Sequence, residues 1–180
     1  MSKSGTLTNP SRLEPLSPDD KQLLRVVIET PKGSRNKFAF NEEDRVYELK
    51  KVLPSGMTFP YDFGFVPSTR AEDGDPLDVL VLMDEPAFPG CVLFARVIGV
   101  IEGEESDKKQ RVRNDRVIAI ERGAHAWADI RNIKDLDRQF INELEAFFVN
   151  YNKLSGKEFR VLGVDGPAKA LRLVKKSLRK

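Results

Sequence analysis

The run Asp73-Gly74-Asp75-Pro76-Leu77-Asp78 leads without a break into Val79-Leu80-Val81-Leu82-Met83. Gly74 and Pro76 exclude a regular helix, so the acids occupy a turn or bulge. The apolar run behind them is short and continuous, the pattern of a buried strand. Three carboxylates at i, i+2 and i+5 are thus fixed where a loop enters the core. Held that close, they repel one another unless a positive charge lies between them. Oxygen donors with no nearby His or Cys suit a hard cation of the Mg²⁺ kind. An EF-hand calcium loop does not fit. It needs glycine at its sixth position and glutamate at its twelfth, and counting from Asp73 these are Asp78 and Asp84.

Bulk properties narrow the class. The 180 residues suffice for one domain with a real core. Basic and acidic residues nearly balance, 30 against 28, so net charge selects no partner. Cys91 is the single cysteine, which excludes an intrachain disulfide and suggests a reducing compartment. No apolar run approaches the ~20 residues of a membrane span. Residues 1–20 are polar, with Pro10, Pro15 and Pro18 and no signal-peptide core. We expect a flexible N-terminal extension over 1–20, a single domain over 21–180, a cytoplasmic location, and neither membrane nor nucleic acid as partner. The basic C-terminal residues Lys169, Arg172, Lys175, Lys176, Arg179 and Lys180 read as a solvated helix face, because no aromatics are interleaved with them.

Patterning along the chain predicts mostly strands, then helices. Leu23 to Glu29 is β-branched and apolar, and Lys37 to Phe40, Arg45 to Lys51 and Arg116 to Ile120 are shorter candidates. Val92 to Ile101 reads as a long strand, followed by a polar loop from Glu102 to Asn114. The segment Phe59-Pro60-Tyr61-Asp62-Phe63-Gly64-Phe65 is too rich in proline and glycine for a helix, and its rings belong in the core. Leu136, Phe140, Ile141, Leu144, Phe147, Phe148 and Tyr151 recur at helical spacing, with Asp135 as N-cap. A last helix starts at Gly166-Pro167, with Ala170, Leu171, Val174 and Leu178 as its stripe. Short strands followed by helices indicate an α+β fold built on a small barrel or strongly bent sheet.

Residues 73–81, Asp-Gly-Asp-Pro-Leu-Asp-Val-Leu-Val, resemble the signature of the soluble family I inorganic pyrophosphatases. Val26-Val27-Ile28-Glu29 resembles the first active-site strand of that family, Lys37 its phosphate-binding lysine, and residues 57–65 the aromatic segment before its acidic motif. Phe147-Phe148 with Tyr151 resembles the end of its long helix. The likeness runs from about Leu24 to Leu162. It implies an OB-like twisted β-barrel with two or more packed helices, Mg²⁺ as cofactor, and hydrolysis of inorganic diphosphate to two phosphates. It also implies a homo-oligomer, most often a hexamer in prokaryotic members. By the same resemblance Asp73, Asp75 and Asp78 hold metal, and Asp75 activates the nucleophile. Glu29 organises waters, while Lys37, Lys51, Arg116 and Tyr151 contact phosphate. Asn114 and Asp107 fall in the second metal-binding stretch.

Several family positions differ here. Ala39 stands for a glutamate, Lys51 for an arginine, Phe59 and Phe63 for tyrosines, Asn114 for an aspartate and Asn152 for a lysine. Each lost hydroxyl removes a hydrogen bond of roughly 0.5–1.5 kcal/mol, so two slow the reaction by about ten- to a hundredfold at ~1.4 kcal/mol per decade. That leaves reduced activity as the expectation. A relative that binds phosphate ligands or serves in assembly without turnover, and a hydrolase for a different polyphosphate, are the alternatives. The single histidine, His125, lies outside every motif. A divalent ion lowers the pKa of water from about 15.7 toward neutrality, so the chemistry needs no histidine base.

Overall fold

The computed structural model describes residues 8–106 and 110–179. Among the described residues, nine strands and two α-helices follow one another as β1 Leu23–Thr30, β2 Asn36–Asn41, β3 Val46–Val52, β4 Asp62–Val66, β5 Leu77–Leu82, β6 Val92–Ser106, β7 Arg111–Arg113, β8 Arg116–Glu121, α1 Arg138–Lys153, β9 Glu158–Asp165 and α2 Pro167–Ser177. The order is α+β, as the patterning predicts. Strands β1, β4, β5, β8 and β6 pair in that sequence, and β6 pairs back onto β1, so the five close into a ring. Only β5 and β8 run parallel within it. The hairpin β2–β3 is a separate two-stranded sheet, pinned to β1 by Thr30, whose hydroxyl donates to the Phe38 carbonyl and accepts from the Phe38 amide, both at 3.0 Å.

The continuous apolar strands are explained by burial on both sides. Along β5, Val79 and Val81 join the cluster that holds Ala170 and Val174 of α2. Leu80 and Leu82 join the cluster that holds Ile141, Leu144 and Phe148 of α1. In β8, Val117 and Ala119 take the α2 side, and Ile118 and Ile120 the α1 side. Period-two alternation is present but invisible to a polarity pattern, because neither face meets water.

Three elements differ from expectation. The supposed loop after Ile101 is a continuation of β6 to Ser106, paired with β7 and with the unanticipated β9. Its polarity reflects cross-strand ion pairs: Glu104 meets Arg111 at 3.2 Å and Arg160 at 2.7 Å, and Glu102 meets Arg113 at 2.8 Å. The aromatic segment contributes a fully buried strand, β4. Asp135 does not cap α1. It closes a capping box on the 3₁₀ turn Ile133–Asp135, and Asp137 caps α1 by accepting from Gln139 N at 2.7 Å. At the N-terminus, residues 8–20 lie against the body. Ser11 and Ser17 are buried, Ser17 N donates to Leu23 O at 2.9 Å, and Arg25 N donates to Pro15 O at 2.8 Å.

Candidate active site

One open cleft of about 1430 Å³ gathers nearly every residue singled out in the sequence. Glu29 comes from β1, Lys37 from β2 and Lys51 from β3. Asp73 and Asp75 come from the loop before β5, and Asp78 from β5 itself. Asn114 and Arg116 stand at the entry to β8, and Tyr151 on the last turns of α1. Asp107 lies outside the described residues.

The acidic wall begins with the expected turn. Gly74 sits at φ +96°, in the left-handed region that glycine tolerates. Asp75 N donates to Asp73 Oδ1 at 3.1 Å, and Ala71 N donates to Asp75 O at 2.7 Å. Leu77 N is anchored on Thr69 Oγ1 at 2.9 Å. Ionising these carboxylates is opposed first by burial. Asp73 is pushed up to about 6, first by desolvation in the cleft wall and then by Asp78 and Asp75. Desolvation likewise raises Asp78 against the opposing charge of Arg116. It raises Glu29 against Lys37 and the Phe40 amide, which donates to Glu29 Oε1 at 2.7 Å.

The facing wall is cationic. Arg116 is almost fully buried and pairs with Asp78 at 2.6 Å. Its guanidinium lies 5.5 Å from the Phe148 ring, 5.7 Å from Phe159 and 6.0 Å from Phe63. Lys37 pairs with Glu29 at 3.5 Å and rests 4.2 Å above the Phe63 ring. Lys51 lies 3.6 Å above the Tyr151 ring and donates to Ser155 Oγ. Its ammonium is depressed, first by burial and then by the charge of Lys37. The Tyr151 hydroxyl is pushed up to about 12 by burial and by Asp78, so it keeps its proton at neutral pH and remains a donor.

Two cleft residues escape a reading of the sequence. Glu105 lines the cleft from the end of β6, accepts from Asn114 Nδ2 at 3.1 Å, and pairs with Lys157, which lines it from the turn after α1. In a stretch expected to be a loop nothing distinguishes Glu105. Only the pairing that carries β6 to Ser106 aims it. Asn114 bridges the two walls, since its Oδ1 accepts from Arg116. The donors available to a cation are therefore all oxygens, from Asp73, Asp75, Asp78, Glu105 and Asn114, with no His or Cys among the residues that line the cleft. This is a set that fits Mg²⁺. Among the described residues no three acids yet enclose a point at coordinating distance; Asp78 is turned onto Arg116 and Glu105 onto Lys157.

Residues 26–180 match the inorganic pyrophosphatase family. An inorganic pyrophosphatase of Synechocystis sp. is 38% identical over 141 residues, 78% of this chain and 81% of that protein. The chain belongs to the inorganic pyrophosphatase family. An inorganic pyrophosphatase of Nostoc sp. is 35% identical over 157 residues, 87% of this chain and 90% of that protein. The crystal structure of the inorganic pyrophosphatase from Thermus thermophilus superposes with a TM-score of 0.86 at 33% identity, over 95% of this chain and 97% of that one. Within this pyrophosphatase fold the substituted positions have structural consequences. Phe59 and Phe63 are buried and pack ring to ring at 5.7 Å, so Phe63 serves Lys37 as an apolar floor. Asn152 is 3% exposed, and its amide donates to Phe148 O at 2.9 Å, back into α1.

Proposed function

We propose that this member of the family hydrolyses inorganic diphosphate to two phosphates with Mg²⁺. The observation that carries the reading is the convergence on one cleft of an all-oxygen acidic wall and a facing wall of Lys37, Lys51, Arg116 and Tyr151. Asp73, Asp75 and Asp78 would hold the metal, with the oxygens of Glu105 and Asn114 beside them in the cleft. When bound, the metal neutralises charge on the diphosphate and makes water acidic enough to act as nucleophile near neutral pH.

The side chains supply the rest. Lys37, Lys51 and Arg116 offset the negative charge that the phosphoryl oxygens carry through the transition state. Tyr151, protonated across the physiological range, donates to a phosphate oxygen. Asp75 is exposed and takes no ion-pair partner among the described residues, which leaves its carboxylate available to receive a proton from the attacking water. Glu29, fixed by the Phe40 amide, orders water at the back of the cleft. Cytoplasmic location and homo-oligomeric assembly belong to the same proposal. Among the described residues no helix is long and apolar enough to cross a membrane, and sedimentation measures the assembly.

Phosphate release from diphosphate with Mg²⁺ tests the reading. Native protein turns over, while Asp75→Asn and Asp78→Ala lose at least two orders of magnitude in rate. Native activity no higher than that of the variants, across several divalent metals, overturns it.

A further inference from the structure

Three carboxylates of the cleft are each held by a cation: Glu29 by Lys37, Asp78 by Arg116 and Glu105 by Lys157. The three cations differ in freedom. The side chains of Lys37 and Arg116 are 13% and 5% exposed and stand against phenyl rings, whereas that of Lys157 is 45% exposed. Lys157 is delivered by the turn that ends α1. There the Asn152 carbonyl accepts from Ser155 N at 2.8 Å and from Lys157 N at 3.1 Å. Gly156, at φ +71°, takes the left-handed conformation between them. The same turn supplies Ser155 Oγ to Lys51. Asn152 itself brings no charge and spends its amide on the helix.

We propose that Lys157 is a phosphate-binding residue released by the metal. In the metal-free cleft its ammonium neutralises Glu105. When a divalent cation takes Glu105, the ammonium exchanges that carboxylate for an oxygen of the diphosphate. The inference rests on the diphosphatase reading above. A dication outcompetes a half-exposed ammonium for a carboxylate, because an exposed ion pair contributes little. A lysine has three donors on a flexible four-carbon stem and suits an anion arriving beside it. Arg116, caged by Phe63, Phe148 and Phe159, has no such freedom. The exchange couples the two ligands: metal at Glu105 raises affinity for the anion by supplying a cation already in the cleft.

The coupling predicts opposite signs in two calorimetric titrations of Lys157→Ala. With Mg²⁺ alone the variant binds about two- to fivefold more tightly than wild type, since a competitor for Glu105 is gone. With imidodiphosphate in saturating Mg²⁺ it binds about tenfold more weakly or worse, since a charged donor is gone. Lys157→Arg keeps the charge and recovers most of the imidodiphosphate affinity. A merely structural ion pair moves neither titration, and a damaged fold weakens both. Either result overturns the proposal, as does Lys157→Ala binding imidodiphosphate as tightly as wild type. Wild type that binds no imidodiphosphate in Mg²⁺ overturns the functional reading as well, which separates the two failures.

Discussion

At the scale of single residues, the acids of the cleft are set against the protein's own cations and against one another. Asp78 leans on a buried arginine, and Asp73 is desolvated in the cleft wall beside Asp78 and Asp75. The consequence for pH is signed. Asp73 rises from 3.8 to about 6 on folding, so the metal-free folded state holds its proton more tightly than the unfolded chain. That contribution to stability is complete below about 3.8 and is lost as pH rises through about 6. Thermal melts in EDTA should therefore show wild type losing stability across that window relative to Asp73→Asn. Mg²⁺ affinity should climb across the same window in wild type, and less in the variant. Parallel melting curves for the two proteins between those pH values would refute the assignment. The phenyl rings at 59 and 63 belong to this scale too. Their packing is legible from the sequence as core, but their service as a floor for Lys37 appears only when β2 brings that lysine over them.

At the scale of elements, glycine explains why strands can come as close as they do. A Cβ on Gly64 would stand 2.0 Å from the Val27 carbonyl oxygen across β1 and β4. That oxygen is backbone in the ring and cannot step aside. Gly64→Ala should cost roughly 3 kcal/mol, the upper end of overpacking penalties, and lower Tm by about 6–12 °C at 2–4 °C per kcal/mol. A melt within 2 °C of wild type would show that the ring opens there, contrary to this geometry. Elements also mark where the sequence stops speaking. The extension of β6 to Ser106, with β7 and β9 beside it, is stabilised by Glu–Arg pairs between strands. Such charges are indistinguishable from a solvated loop until both partner strands, nearby β7 and distant β9, are in place. The expected cap at Asp135 failed for a related reason. Two aspartates two residues apart satisfy the same local rule, and the 3₁₀ turn capped by Asn132 decides between them.

At the scale of the whole molecule, the ring of five strands fixes the mouth of the cleft, and the two helices and the hairpin β2–β3 complete it. Because every acid on one wall belongs to the folded state, a cation that binds there stabilises the fold by mass action. Mg²⁺ at a hundredfold excess over its dissociation constant contributes about 2.7 kcal/mol per site, a rise in Tm of about 5–11 °C. A scan with and without EDTA reads it, and an unchanged Tm would count against metal in the cleft. The sequence by itself determined the acidic turn, the buried strand behind it, the α+β class and the family resemblance. Each rests on short-range rules: glycine and proline breaking helices, apolar runs seeking the core, and a motif of fixed spacing. Only the tertiary structure decided that Glu105 and Lys157 face the same cleft, that Asn152 does not offer a charge to it, and that Asp78 is held by Arg116. These depend on pairings between distant strands and on which way a helix ends, where the energy of contact outweighs any preference written in neighbouring residues.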